Sequence, residues 1–141
     1  MIVLVKANVL AVGLNGISES LRELPIRVIS MRSGVEAARS LKSQKVDSVI
    51  SKWDLDGMEN GRFLKMLKAA RPDVPTIAFV KAGDVEQEIA ARSLGVSAVL
   101  TDEVSDELFQ ETVANVLKLK NFVSIKTMAA VKKRPKTKVA K

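Results

Sequence analysis

The chain has 141 residues and a net charge of +7, and 47% of its residues are apolar while only 4% are aromatic. This length and composition predict one domain with an aliphatic core. The sequence contains no Cys, His or Tyr. Disulfides, thiolate catalysis, Cys-based metal sites and the commonest general base are therefore excluded.

The excess positive charge lies in the C-terminal segment. Residues 1–124 contain 16 basic and 16 acidic residues, so that part of the chain is neutral overall. Residues 125–141 contain no acid, and their basic residues are Lys126, Lys132, Lys133, Arg134, Lys136, Lys138 and Lys141. We therefore predict a domain over residues 1–124 and a disordered basic tail over residues 125–141.

A basic tail of this kind favours an anionic partner, although it often serves only as a solubilising end. Nonspecific nucleic acid is one interpretation, because each neutralised phosphate releases counterions. An acidic protein or a membrane surface are the alternatives. Base stacking is not expected, since no aromatic residue lies among the basic residues of "KKRPKTKVAK".

Neither end of the chain predicts a membrane span. No apolar run approaches the roughly 18 to 20 residues of a transmembrane helix. The opening "MIVLV" is too short for the core of a signal peptide, so a cytoplasmic protein is expected. Three roles are open for two apolar stretches near the ends of the chain, residues 2–5 and the group Phe122, Val123 and Ile125. The two stretches pack together, they lengthen the first strand and the last helix, or they form a dimer surface.

In the first half of the chain, apolar segments alternate with helical patterns. Asn8 to Leu14 predicts a buried strand, Ser18 to Leu24 a short helix, and Ile26 the start of a second strand. Ser33 is a suitable N-cap for the next helix. The residues of that helix predicted to face the core are Val35, Ala38 and Leu41.

The same alternation continues in the second half of the chain. A third strand begins at Val46 and leads into the acidic loop "KWDLDGMENG", a fourth begins at Thr76, and "SAVL" is the fifth. Three helices separate or follow these strands. The first turns Phe63, Leu64 and Leu67 toward the core, and the second lies in "GDVEQEIAARSLG" and ends at Gly95. The third begins near Ser105, and its residues predicted to face the core are Leu108, Val113, Val116 and Leu117. This order predicts an α/β fold with a doubly wound, five-stranded parallel sheet of order 2-1-3-4-5 and helices on both faces.

Three stretches of the chain resemble the receiver domain of bacterial response regulators. "VDSVISKWDLDGME" is similar to the third strand of that family and the loop after it, and "SGVEAARSL" is similar to its second helix. "PTIAFVKAGDVEQEIAARSLGVSAVLTDEVS" is similar to the block that runs from the fourth strand to the fifth. The resemblance covers roughly residues 8–119 and implies a CheY-like fold in two-component signal transduction.

The phosphorylation site implied by this resemblance is degenerate. Lys52 stands at the position of the phosphoacceptor Asp, Val80 at that of the hydroxyl residue, and Asp102 at that of the Lys. Val99 stands where the family usually has the switch aromatic, and residues 13–15 (Gly-Leu-Asn) replace its acidic Mg²⁺ pair. The resemblance therefore implies a pseudoreceiver that needs no cofactor or metal and is not an enzyme.

Two further site hypotheses follow from these positions. Lys52 and Asp102 are expected to face each other and form an ion pair, although both side chains could instead point into water, or Lys52 could pair with Asp54 or Asp56 in the acidic loop. The alignment with the receiver family also leaves one alternative. In this alternative Asp54, and not the residue at position 52, is aligned with the phosphoacceptor Asp, and phosphorylation survives.

The function predicted from the sequence is a non-enzymatic signalling module that binds a protein partner independently of phosphorylation. Homodimerisation is a further expectation, because receivers commonly dimerise through the face formed by the fourth helix, the fifth strand and the fifth helix. The alternatives are a nucleic-acid-associated protein that uses its basic tail and a divergent receiver that is phosphorylated on Asp54.

Overall fold

The computed structural model describes residues 7–118, which form one five-stranded sheet flanked by helices. The strands are β1 (Ala7–Val12), β2 (Ile26–Met31), β3 (Ser48–Lys52), β4 (Thr76–Val80) and β5 (Ala98–Thr101). The helices are α1 (Ile17–Ser20), α2 (Gly34–Ser43), α3 (Arg62–Ala70), α4 (Val85–Leu94) and α5 (Asp106–Leu117). The strand order is β2-β1-β3-β4-β5, and each neighbouring pair is parallel. The predicted doubly wound fold is confirmed.

Two apolar clusters cover the two faces of the sheet. Because side chains alternate along a strand, Leu10 and Val12 of β1 belong to one cluster while Val9 and Ala11 belong to the other. The helical residues of the first cluster are Ala37, Phe63, Leu64, Leu67 and Ala91. Those of the second include Phe109, Val113 and Ala114. The sheet is therefore buried on both faces, as the near-continuous apolar strands predict.

Side-chain caps fix the starts of three helices. The Ser33 hydroxyl accepts a hydrogen bond from the Glu36 backbone N–H at 3.1 Å, and Ser105 caps α5 in the same way at 3.2 Å. Asp84 caps α4, which ends at Gly95 with φ +92°. Each cap satisfies an N–H that has no partner within its helix. The predicted cap at Ser33 and the predicted end of α4 at Gly95 are confirmed.

Two residues predicted to face the core are exposed instead. Val35 is 54% exposed because α2 turns Gly34 and Ala37 inward; a Cβ on Gly34 would lie only 2.4 Å from Met58 Sδ. Leu108 is 50% exposed because its neighbour Phe109 takes the inward position and packs edge-to-face on Phe79, with ring centroids 5.4 Å apart. Both errors concern the rotation of a helix about its axis.

The first helix is shorter than the sequence predicts. It ends at Ser20, and the residues up to Leu24 form turns, although Leu21 and Leu24 are buried. The predicted helix over Ser18 to Leu24 is therefore too long at its C-terminal end, because the helical conformation does not extend to Leu21 and Leu24. Within the described part of the chain, every helix is too short or too polar to cross a membrane.

Candidate functional site

A cavity of about 460 Å³ opens at the carboxyl edge of the sheet, the edge at which the strands end. Its lining includes Asn15 after β1, Lys52 at the end of β3, Val80 at the end of β4 and Asp102 after β5. In open α/β sheets this crevice is the usual place for ligands. The structure thus places all three residues of the predicted degenerate phosphorylation site, Lys52, Val80 and Asp102, around one cavity.

Lys52 is the exposed end of an otherwise buried strand. Its side chain runs beside Gly13, since a Cβ built on Gly13 would lie 3.5 Å from Lys52 Cδ. The next residue continues the strand pairing, because the Trp53 backbone N–H donates to the Phe79 carbonyl at 2.8 Å. The methylene stem of Lys52 is therefore supported by the end of β1, while the ammonium group stays hydrated.

The predicted ion pair between Lys52 and Asp102 is not formed in the structure. Among residues 7–118, the ion pairs of 4.0 Å or less are Arg22–Glu19 and Arg92–Glu88. Lys52 therefore contacts neither Asp102 nor the nearer Asp54 as an ion pair. Because Lys52 and Asp102 are both exposed, water solvates each charge and little is gained by holding the two side chains together.

The two valines at the other site positions differ in their burial. Val80 is 4% exposed and belongs to the apolar core below the cavity. Val99 is half-buried and packs against the same core. Neither side chain offers a hydroxyl group to a ligand, and neither carries a ring that could move between buried and exposed positions.

Asp54 takes part in a hydrogen-bond network that the sequence analysis missed. Its Oδ1 accepts from the Asn60 backbone N–H at 2.7 Å, and its Oδ2 accepts from Gln87 Nε2 at 2.8 Å. Gln87 Oε1 accepts from the Lys81 backbone N–H at 2.9 Å. The Gln87 side chain therefore joins the loop after β3 to the loop after β4, at the rim of the cavity.

The sequence does contain a pattern from which Gln87 could have been noticed. Asp84 and Gln87 have the spacing of a capping box, in which a Gln three residues after the N-cap bonds back to the chain before the helix. Here Asp84 Oδ1 accepts from the Gln87 N–H at 3.0 Å, as the pattern requires. The Gln87 side chain bonds to Lys81 rather than to Asp84, and its second bond, to Asp54, spans 33 residues of sequence. Spacing alone does not predict that second bond.

Asp56 does not line the cavity, whereas Asp54 does. Leu55 and Met58 pair through two backbone hydrogen bonds of 3.1 and 2.9 Å, so Asp56 and Gly57 form the tip of a tight turn. Within residues 7–118, no three acidic side chains converge as a group that could hold a metal ion. Asp54 and Asp56 therefore do not form a joint ligand set with a third carboxylate.

Trp53 packs the loop against α3. It is 4% exposed, and a Cβ on Gly61 would lie 2.3 Å from its ring, so only Gly allows this approach. Lys65 Nζ lies 5.9 Å from the ring centroid. These contacts fix the loop after β3 against the neighbouring helix. Asn60 precedes Gly61 at φ +60°, a conformation that Asn tolerates better than most residues.

A family model for the response regulator receiver domain matches residues 11–114. The chain belongs to the receiver domain family. It is 29% identical over 90 residues to the transcriptional regulatory protein GlrR of Escherichia coli K12. This match covers 64% of the chain and 20% of GlrR, so the chain spans about a fifth of the length of that relative.

Solved receiver domains have the same fold. The receiver domain of an HD domain-containing protein from Pseudomonas fluorescens superimposes with a TM-score of 0.73 at 22% identity, over 80% of this chain and 95% of that one. A receiver domain from Clostridium thermocellum gives a TM-score of 0.72 at 20% identity, over 82% and 97% of the two chains. Receiver domains are in general signalling modules rather than enzymes, and they act in two-component signalling through protein partners.

Several predictions concern residues outside the described part of the chain. They are the domain boundary near residue 124, the roles of residues 2–5 and of Phe122, Val123 and Ile125, and the tail residues Lys126, Lys132, Lys133, Arg134, Lys136, Lys138 and Lys141. These expectations stay predictions.

Proposed function

We propose that this receiver domain is a phosphorylation-independent signalling module that acts by binding a protein partner. The observation that carries the proposal is the charge reversal around the cavity, with Lys52 at the end of β3 and Asp102 after β5. A receiver accepts a phosphoryl group on a carboxylate and holds it with a cation. A protonated ammonium group at the acceptor position has no lone pair with which to attack the phosphorus.

The surroundings of the cavity support the same proposal. Phosphoryl transfer to a carboxylate needs a divalent cation to neutralise the developing charge, and such a cation prefers several oxygen ligands. The segment after β1 contributes no carboxylate from residues 13–15. Each Asp54 oxygen already accepts one hydrogen bond, from Asn60 and from Gln87. Replacing either bond would require the loop or α4 to rearrange.

A role in protein binding is supported by the surface of α4. Val85 is 63% exposed and Ile89 is 59% exposed, and their four-residue spacing places them on one side of the helix. Exposed aliphatic side chains that lie together are typical of protein-interaction surfaces. We propose that the partner binds this side of α4, and self-association through the same side stays a prediction.

The chemical part of the proposal is tested with a small-molecule phosphodonor. We expect acetyl phosphate with Mg²⁺ to leave the intact mass of the chain unchanged, under conditions that phosphorylate a competent receiver. The same incubation with Asp54→Asn identifies the remaining alternative. A phosphoryl adduct on the native chain that disappears in this variant would establish Asp54 as the acceptor and refute the proposal.

The binding part is tested by site-specific crosslinking in the source cell. We expect Val85→Ser with Ile89→Ser to remove a crosslinked partner that the native chain retains with or without a phosphodonor. The matched control carries Val35→Ser and Met66→Ser, which replace two exposed apolar residues on α2 and α3. Equal loss in both double variants, or a partner that appears only with the phosphodonor, contradicts the proposal. Analytical ultracentrifugation of the same variants measures self-association.

A further inference from the structure

The cavity at the carboxyl edge is lined by two positive and two negative side chains. Its charged lining residues are Lys52, Lys81, Asp54 and Asp102, so their formal charges cancel. Asp54 is already committed, because both of its carboxylate oxygens accept hydrogen bonds from the protein. The side chains of Lys52, Lys81 and Asp102 form no hydrogen bond or ion pair with another residue of the described range 7–118. Two cations and one carboxylate therefore remain available to a ligand.

The available charges lie on opposite sides of the end of β4. Lys52 ends β3, and its methylene stem passes beside Gly13, on the β1 side of the cavity. Asp102 follows β5, whose last residue Thr101 pairs with Val80. Because β4 lies between β3 and β5, the two backbones are about 10 Å apart. The Lys52 ammonium group and the Asp102 carboxylate are more than 4.0 Å apart, so a ligand that carries both charges can bridge them.

A second cavity, of about 220 Å³, adjoins the first and has a mostly apolar lining. Four residues line both cavities, namely Leu14, Asn15, Phe79 and Asp102. Val104 and Phe109 add apolar surface in the second cavity alone. The half-buried Phe79 ring is held in place by its edge-to-face contact with Phe109. An apolar group that enters here would cover aromatic and aliphatic surface that is otherwise in contact with water.

We propose that the two cavities form one binding site for a free α-amino acid with an apolar side chain. The ligand carboxylate accepts from the Lys52 ammonium group, the ligand ammonium group donates to the Asp102 carboxylate, and the ligand side chain lies against Phe79 in the second cavity. Asp102 lines both cavities, so it stands where the charged and the apolar parts of such a ligand join. Both polar contacts are charge-assisted, which makes them the stronger kind of hydrogen bond.

Lys52 rather than Lys81 is assigned to the ligand carboxylate because its stem has a defined support. A Cβ built on Gly13 would lie 3.5 Å from Lys52 Cδ, so the stem runs along the wall of the cavity. Lys81 also borders a separate depression beside the start of α4, and its side chain has two openings to serve. Lys81 therefore contributes to the local potential, whereas Lys52 makes the contact.

Simpler ligands match this arrangement less well. Inorganic phosphate or another small anion is attracted by Lys52 and Lys81 but also faces the carboxylates of Asp54 and Asp102. A small cation meets the reverse arrangement. An uncharged apolar molecule displaces water from the charged groups without giving them a partner. A zwitterion pairs with both kinds of charge and adds no net charge to the cavity.

This inference goes beyond the proposed signalling function and does not rest on it. Lys52 and Asp102 are exposed in the free chain, so the ligand must displace their water, and we expect dissociation constants in the millimolar range. Gln87 lines the first cavity and lies in the first turn of α4. A bound amino acid therefore lies beside the helix that carries the proposed partner surface, where it can change partner binding.

The site is tested by NMR titration of the full isotope-labelled chain with L-leucine and L-phenylalanine, without Mg²⁺ or a phosphodonor. We expect saturable shifts of the backbone amides of Asn15, Phe79 and Asp102, which line both cavities. Three analogues remove one ligand group each: leucinamide has no carboxylate, isocaproate has no ammonium group, and glycine has no apolar side chain. Each should bind at least about fivefold more weakly than leucine.

Two substitutions separate the two charged contacts. Lys52→Met should weaken leucine binding about 5- to 10-fold but leave leucinamide binding unchanged within about twofold, because leucinamide makes no carboxylate contact. Asp102→Asn should weaken leucine binding by a similar factor but should not weaken isocaproate binding. The matched control is Lys45→Met with Asp73→Asn, which removes two exposed charges at the opposite edge of the sheet and should leave leucine binding unchanged within about twofold. The amide spectra show that each variant is folded.

Four results would overturn the proposal. They are the absence of saturable shifts at the cavity residues with either amino acid, tighter binding of inorganic phosphate or isocaproate than of leucine, glycine binding as tight as leucine binding, and equal weakening of leucine binding by the control variant. The titration contains neither phosphodonor nor partner. Its failure is therefore distinguishable from a failure of the proposed signalling function, which the phosphodonor and crosslinking experiments measure separately.

Discussion

Replacement of Gln87 tests whether the hydrogen bonds at the cavity rim hold the two loops together. Gln87→Ala removes the bond to Asp54 Oδ2 at 2.8 Å and the bond from the Lys81 N–H at 2.9 Å. A hydrogen bond to a charged group contributes about 1.5 to 3 kcal/mol and a neutral one about 0.5 to 1.5 kcal/mol. Both bonds are solvent-accessible, so water replaces part of each, and we expect a total loss of about 1 to 2 kcal/mol.

The assay is urea unfolding followed by the fluorescence of Trp53. This residue is the only Trp in the chain and is 4% exposed, so unfolding transfers it to water. The control is Glu86→Ala, in the same helical turn, which should change the free energy of unfolding by less than about 0.5 kcal/mol. A double-mutant cycle of Gln87→Ala with Asp54→Ala isolates the bond between the two side chains and should give a coupling of about 0.5 to 1.5 kcal/mol.

Two results would refute the reasoning about Gln87. If Gln87→Ala is as stable as the native chain within about 0.5 kcal/mol, the side chain does not hold the loops together. If the losses from Gln87→Ala and Asp54→Ala add without coupling, the 2.8 Å contact contributes no stability in solution. In either case the loops after β3 and β4 are held by the buried residues below them and not by the bonds at the rim.

Two further predictions concern the cavity and the loop beside it. A double-mutant cycle of Lys52→Met and Asp102→Leu should be additive within about 0.5 kcal/mol, because the two charges are exposed and form no ion pair; a larger coupling in urea unfolding would show that they attract each other in solution. Gly61→Ala should lower the free energy of unfolding by about 2 to 4 kcal/mol, because its φ is +74° and its Cβ would meet the Trp53 ring. Gly57→Ala, with φ +81° and open space around it, should cost only about 1 to 2 kcal/mol, and equal losses at the two positions would contradict the packing argument.

The sequence predicts the sheet well because each strand carries its own pattern. The nearly continuous apolar segments at β1, β3 and β4 indicate strands that are buried on both faces, and this property needs no knowledge of the neighbours. Caps are equally local, so Ser33 could be recognised from its own position before a helical pattern. The order of the strands follows from alternation with helices and from the resemblance to receivers.

The rotation of the helices could not be predicted in the same way. Val35 and Leu108 are apolar residues at positions that suit a core-facing stripe, but each lies next to a residue that the neighbouring elements favour more strongly. Phe109 fills the space beside Phe79 on β4, and that space is defined only when α5 and the sheet have met. The same reason explains why the Asp54–Gln87 bond was missed, since it joins side chains from two loops whose relative position depends on the whole sheet.

The predicted contact between Lys52 and Asp102 failed for a different reason. Their position around one cavity was correct, because the ends of parallel strands meet at the same edge. The alternative stated with it, in which both side chains point into water, is consistent with their exposure, because water solvates two exposed charges more cheaply than a fixed geometry does. In the structure the two residues line the same cavity without forming an ion pair.

Lys52 and the segment after β1 also constrain each other. Gly13 has φ +75°, and a Cβ at this position would lie 2.5 Å from Leu55 Cδ2 and 3.5 Å from Lys52 Cδ. An aspartate introduced at Gly13 would thus meet backbone strain and a buried leucine before it could supply a metal ligand. Restoring the acceptor alone, by Lys52→Asp, would add a carboxylate to a cavity whose β1 side still contributes none. A single substitution at Lys52 is therefore expected to leave the cavity without a carboxylate from residues 13–15.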